Sequence, residues 1–262
     1  MTIKDITAHL ESIAPTHLQE SYDNAGLIVG HPDTVVTGVL TSLDCTEEII
    51  AEAKARGCNL VVAHHPIVFR GLKRFNGSDY VERTVIKAIK EDVAIYAIHT
   101  NLDNVRHQGV NERIGQRLGL EKMRLLGPKN EEQTIGSGMV GELPAEMTET
   151  DFLRHLKERM GAAVVKHTAL LGGPVKTVAL CGGAGGFLLS KAKTAGAQVF
   201  VTSDYKYHEF FDADGDLVIC DIGHYESEQF TTQLLAELLS KKFPTFAVLY
   251  TQRITNPVRY FV

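Results

Sequence analysis

From residue 38 to residue 118 the sequence alternates short apolar runs with segments of helical periodicity, an order that few folds accept. Residues 38–43, 59–63 and 93–98 read as strands. Thr46 with Glu47 and Glu48 marks a helix N-terminus after the first strand, and Gly57 supplies its stop. Ser78 is expected to cap a second helix whose Val81, Val85, Ile86 and Ile89 face inward. A third helix, residues 110–118, closes at Gly119. Alternation at this spacing implies parallel strands joined by right-handed crossovers. In such sheets the chemistry gathers beyond the carboxyl ends of the strands.

The strand ends carry the ligand-type residues. Residues 59–63 run into His64 and His65 and are stopped by Pro66, while residues 93–98 run into His99, with Asp103 soon after. Imidazole is the commonest metal ligand, and two in a row at a strand terminus can serve two metals. Taken alone, the pair reads more readily as two surface-loop histidines. His224 and Glu228 stand four apart at the start of a helix, so both side chains share one face, as in helical zinc pairs. Alone, that spacing also fits a solvated hydrogen bond.

Together His64, His65, Asp103, His224 and Glu228 offer nitrogen and oxygen donors. Such a set suits zinc, iron, manganese, nickel or cobalt rather than calcium. Five ligands are too many for one catalytic zinc with an open position. They fit two divalent metal ions about 3.5–4 Å apart that share a bridging carboxylate, and Glu228 is the bridging candidate. His99 is read as a candidate catalytic group, orienting a ligand or shuttling a proton; a histidine bonded to backbone is the alternative. Asp44 and Asp23 are candidates to orient ligands or touch substrate, and His208 is expected to face the site.

The remaining segments are less informative. A first helix is capped at Thr2, buries Ile3, Ile6, Leu10 and Ile13, and ends at Pro15. Residues 135–143, 150–160 and 163–168 read as strand, helix and strand of a second, smaller lobe. Strands then follow at 177–180, 198–202, 217–221 and 246–250, with a long helix at about 226–241. The glycine run Gly182, Gly183, Gly185 and Gly186 is either a phosphate cradle at a helix N-terminus or a tight strand-to-helix turn. It lacks the Gly-Lys-Ser/Thr of a Walker motif, and Leu188 replaces the third glycine of a dinucleotide fingerprint.

Composition narrows the function classes. Apolar residues at 44% and charged residues at 23% are ordinary for a soluble globular protein. With 27 Lys and Arg against 32 Asp and Glu, the net charge is −5, and no basic run favours nucleic acid. No apolar stretch reaches the ~20 residues that span a bilayer, and the start lacks a signal peptide's apolar core. The expectation is a cytoplasmic protein with no membrane partner. Cys45, Cys58, Cys181 and Cys220 lie far apart in or beside apolar stretches and read as buried free thiols.

The ordered set Tyr22-Asp23-Asn24-Ala25-Gly26-Leu27, Ala63-His64-His65-Pro66, His99-Thr100-Asn101-Leu102-Asp103 with Gly109-Val110-Asn111, Cys181-Gly182-Gly183-Ala184-Gly185, Gly223-His224-Tyr225-Glu226-Ser227-Glu228, and the closing Asn256-Pro257 resembles the NIF-three-like family of dinuclear-metal proteins. That family is often labelled GTP cyclohydrolase 1 type 2 homologue. The resemblance implies that His64, His65, Asp103, His224 and Glu228 are the metal ligands. It implies an α/β protein of two interlinked α/β lobes with mixed, largely parallel sheets, assembling into a toroidal homohexamer. The lobes would be residues 1–127 completed by 225–262, and residues 128–224. Two departures stand out: Tyr22 where tryptophan is common, and Thr202-Ser203-Asp204 where Thr-Gly and an acid are expected.

The function expected is metal-dependent hydrolysis of a nucleotide. If the label holds, metal-activated water attacks C8 of guanine and the ring opens, with Arg70, Lys73 or Arg74 meeting phosphates. The alternatives are phosphoester hydrolysis and a non-enzymatic metal-binding scaffold or regulator that presents itself to a protein partner.

Overall fold

The computed structural model describes residues 1–261. In chain order the elements begin α1 (Ile3–Ile13), β1 (Gly26–Val29), β2 (Val39–Ser42), α2 (Glu47–Ala55), β3 (Leu60–Ala63), α3 (Tyr80–Glu91), β4 (Ala94–Ala97) and α4 (Thr100–Asp103). They continue α5 (Val110–Leu118), β5 (Glu121–Pro128), β6 (Gly136–Thr148), α6 (Glu149–Met160), β7 (Lys166–His167), β8 (Pro174–Leu180) and α7 (Leu189–Thr194). They end β9 (Val199–Thr202), β10 (Val218–Asp221), α8 (His224–Glu228), α9 (Thr231–Lys242) and β11 (Val248–Tyr250). Two compact units result: Met1–Leu102 with Thr231–Pro257, and Asp103–Phe230 with the tail from Val258.

The first unit is built on a sheet of order β1-β4-β3-β2-β11. All its neighbours are parallel except β1, which runs antiparallel to β4. Every residue of β2, β3 and β4 is buried, which is why β3 and β4 read as unbroken apolar runs. Leu40, Ile49, Ile50, Val61, Val85, Ala88 and Ile95 share one core. Helix α3 is capped one residue later than expected, by Asp79, whose side chain accepts from the Glu82 N–H. Val85 and Ala88 are buried on the inner face of this helix, whereas Ile89, expected there, is 60% exposed.

The second unit carries a sheet of order β5-β6-β8-β9-β10-β7. Only β8–β9 and β9–β10 are parallel; β5–β6, β6–β8 and β10–β7 are antiparallel. A largely parallel arrangement therefore describes the first sheet and is corrected for the second. Strand β5 is absent from the sequence reading, because its alternation is weak until Leu125 and Leu126 become buried. The strand expected at 163–168 shrinks to the short edge strand β7.

The expected boundary after residue 127 lies instead after Leu102. Pairing of β5 with β6, and packing of α5 on α6 and β6, carry residues 103–127 into the second unit. The helix expected at 226–241 is two helices, α8 and α9. No glycine or proline marks the break. Gln229 is held there by a 2.8 Å hydrogen bond from its Nε2 to the Met160 carbonyl, and Phe230 lies under the Arg117 guanidinium at 4.1 Å. Phe200, Leu217, Ile219, Val140 and Leu188 belong to this unit's core. All four cysteines are buried free thiols. Among the described residues no helix is long and apolar enough to cross a membrane.

Candidate functional site

The histidines of the first unit are held by the sheet itself. His64 N–H donates to Ser42 O at 3.1 Å, His65 N–H to Leu43 O at 2.9 Å, and Ile98 N–H to Ala63 O at 2.9 Å. The parallel ladder thus runs on past the end of β3 and fixes both histidine backbones. His64 is fully buried, with Nδ1 2.8 Å from the Ile98 carbonyl. A carbonyl can only accept, so Nδ1 carries the proton and Nε2 carries the lone pair.

A different acceptor orients each of the other two rings. His65 Nδ1 lies 2.8 Å from Asp44 Oδ1, and Asp44 Oδ2 accepts the Thr255 hydroxyl at 2.5 Å. His99 Nδ1 lies 2.8 Å from Asp23 Oδ1, while Asp23 Oδ2 accepts from the Thr100 N–H and hydroxyl. Burial works to raise the Asp23 pKa, but the hydrogen bonds from His99 and Thr100 outweigh it and pull it down to about 2. Asp23 is therefore a firm anion beneath His99. Each of His64, His65 and His99 offers a ring nitrogen within 4.8 Å of the others'. His99 thus joins the cluster that the sequence reading placed it beside. Asp44 and Asp23 occupy the orienting positions expected of them.

An aromatic rim borders this cluster. The Phe69 ring meets His99 edge-on at 5.6 Å and is 48% exposed. Its loop is tied down by Asn24 Nδ2, which donates to the Val68 carbonyl at 2.6 Å. Arg70, Lys73 and Arg74 follow and are exposed.

In the second unit α8 begins at His224 and ends at Glu228. His224 Nδ1 lies 2.6 Å from Asp204 Oδ2, and His224 Nε2 lies 3.0 Å from Glu228 Oε2. Burial works to lower the His224 pKa, but the hydrogen bonds to Asp204 and Glu228 win and raise it to about 11. Glu228 is 3% exposed, and one of its oxygens lies within 4.8 Å of a carboxylate oxygen of Asp103. The Asp103 carbonyl accepts from Asn111 Nδ2 at 3.0 Å, and Asn111 Oδ1 accepts the Gly182 N–H at 2.9 Å. Acids crowd this corner: burial pushes the Cys181 thiol pKa up, and the charges of Asp103 and Glu228 push it further.

The glycine run serves this corner rather than a phosphate. Gly183 has φ +62°, and a Cβ there would stand 2.6 Å from Glu228 Oε1. Gly183 N–H donates to Ser227 Oγ at 3.0 Å, and Gly185 N–H to Thr202 Oγ1 at 2.9 Å. With its amides so engaged, the run is the tight turn of the two readings, and it lets the chain lie close against α8.

Asp204 is the partner that sequence reasoning missed. Its signals were its place just past β9, where residues of this sheet type converge, and the acid that the resemblance expects there. It has φ 59°, a left-handed conformation that Asp tolerates. Ser203 is not in that conformation, so the position where a glycine was expected does not require one. His208 does not face this cluster. It is exposed and lies among Tyr207 and Phe211 of its own segment, at 5.1 and 6.4 Å.

Imidazole nitrogens held through Nδ1 and buried carboxylates are groups that could hold a metal ion. A family model described as Duf34/NIF3 (NGG1p interacting factor 3) matches residues 1–257. A Clostridium perfringens protein named GTP cyclohydrolase 1 type 2 homolog is 36% identical over 229 residues, covering 87% of each chain. A Lactococcus lactis protein of the same name is 33% identical, covering 98% of each. The crystal structure of a Bacillus cereus protein related to NIF3 superposes with TM-score 0.93 at 26% identity, covering 100% of this chain and 99% of that one.

Proposed function

The chain belongs to the Duf34/NIF3 family, and from that premise we propose that it binds two divalent metal ions and hydrolyses a nucleotide. The ligands proposed are His64, His65, Asp103, His224 and Glu228, with Glu228 as the bridge. The observation that carries this reading is that the imidazoles are anchored alike, each within its own unit. His64, His65 and His224 are each held through Nδ1, by Ile98 O, Asp44 and Asp204. Such holding fixes ring direction and raises the basicity of Nε2. When bound, the metals would supply Lewis acidity and a water of lowered pKa.

The chain's own groups would do the rest. His99, with Nδ1 engaged by Asp23, presents Nε2 as the atom that takes or gives a proton. Phe69 borders His99, and the exposed Arg70, Lys73 and Arg74 that follow it would meet phosphates. The names of the relatives support ring opening of a guanine nucleotide. The homohexameric ring and the cytoplasmic location belong to the same proposal.

Turnover of a panel of nucleotides and phosphoesters by metal-loaded protein tests it, with Glu228→Ala as the inactive control. Product from a phosphoester alone would move the reading to phosphoester hydrolysis. No turnover of any substrate would favour a metal-binding scaffold or regulator with a protein partner, a reading supported by the interacting factor in the family's description.

A further inference from the structure

We propose that Asp221 is a positioning residue that sets the Asp204–His224 pair. Asp221 ends β10 and is 1% exposed. In the sheet it stands beside Thr202, the last residue of β9, and opposite Lys166 of β7. The two loops that carry Asp204 and His224 therefore spring from neighbouring strand ends. One carboxylate holds both. Asp221 Oδ1 accepts the Gly223 N–H at 3.0 Å, and Oδ2 accepts the Tyr205 N–H at 3.1 Å.

Gly223 directly precedes His224, and Tyr205 directly follows Asp204. Both loops take conformations that need support: Gly223 has φ +92° and Asp204 φ 59°. A Cβ at Gly223 would stand 2.3 Å from Glu226 Oε2, so no other residue fits that turn without displacement. The buried charge is matched by Lys166 Nζ at 2.7 Å, reaching in from the edge strand. A carboxylate suits this place because it accepts on both oxygens. An amide would turn a donor toward either an N–H or an ammonium. With the two loops fixed, Asp204 meets His224 Nδ1 at 2.6 Å.

The consequence for metal rests on His224 being a ligand; the setting of the pair does not. The test is the imidazole ¹H–¹⁵N spectrum of metal-free protein labelled at histidine, with the His224 Nδ1–H signal assigned by its loss in His224→Gln. In Asp221→Asn that downfield, hydrogen-bonded signal should vanish while the other histidine signals hold. Zinc affinity should fall about 10- to 100-fold. Lys166→Met keeps both backbone contacts and should keep the signal. Asp221→Glu keeps the charge but is too long to accept both N–H groups, and it should lose the signal as the Asn variant does.

An unchanged His224 signal in either Asp221 variant overturns the proposal. Collapse of the whole spectrum in both overturns it in favour of a purely structural residue. If the wild type binds no zinc yet Asp221→Asn loses the signal, the metal reading fails and the positioning stands.

Discussion

The two units hold their imidazoles by different electrostatic means. In the first, His64, His65 and His99 each have one orienting acceptor at Nδ1: a carbonyl, Asp44 and Asp23. In the second, His224 has a carboxylate at both nitrogens, Asp204 and Glu228. The first arrangement fixes direction through backbone ladders and single partners. The second balances charge, which is why the His224 pKa rises to about 11. At the sheet end the backbone ladder shares the work with one acceptor for each ring. A ring on a short helix, as on α8, must be held by its neighbours' side chains.

Removing the acid at the centre of the second arrangement should have the largest effect. Glu228→Ala should lose both metals, whereas His64→Ala or His65→Ala should lose mainly one, as read by elemental analysis of purified protein. Two metals retained in Glu228→Ala would break the bridging assignment. Packing comes next. Phe152→Ala in the second unit should cost about 3–5 kcal/mol, and Ile95→Ala in the first about 2–5 kcal/mol, since both are fully buried. Denaturant titration measures both.

The orienting acids sharpen the contrast directly. Asp204→Asn removes one of two charges about a ring, and Asp44→Asn removes the one charge on another. Metal affinity measured by competition with a chromophoric chelator should fall about 100-fold for the first and about 10-fold for the second. Equal losses would erase the distinction drawn between the units.

A smaller effect tests the first unit away from the histidines. Glu82 is buried at the start of α3 and accepts the Ser78 and Asn76 N–H groups. The Ser78 backbone bond leads in holding its pKa below the ordinary 4.5, against the opposing pull of burial. A depressed carboxylate contributes stability that is present above its unfolded pKa and lost as pH falls through its folded one. The wild type should therefore lose more Tm than Glu82→Gln does as pH drops below about 4.5. Parallel melting curves would count against the clasp. The smallest effect belongs to Thr148, whose hydroxyl caps α6 by accepting the Asp151 N–H. Thr148→Ala should cost about 1 kcal/mol in chemical denaturation.

Much of the first unit was legible in the sequence. Strands β3 and β4 are buried on both faces, so each is an apolar run, and a run of that kind ending in histidine announces its own strand end. His224 and Glu228 were legible because a helix fixes which residues share a face. Asp44 and Asp23 were found by position after such ends or beside a turn. The role of Asp204 was not, since nothing local links residue 204 to residue 224.

The sequence by itself determined the alternation of elements, the strand ends and the donor residues that stand there, because periodicity and capping act over a few residues. Tertiary structure alone decided the pairing of β5 with β6, the break between α8 and α9, the placing of His99 among the other rings, and the carboxylate beside His224. Each of these depends on a partner distant in the chain, and local propensity carries no record of which distant partner a residue will meet.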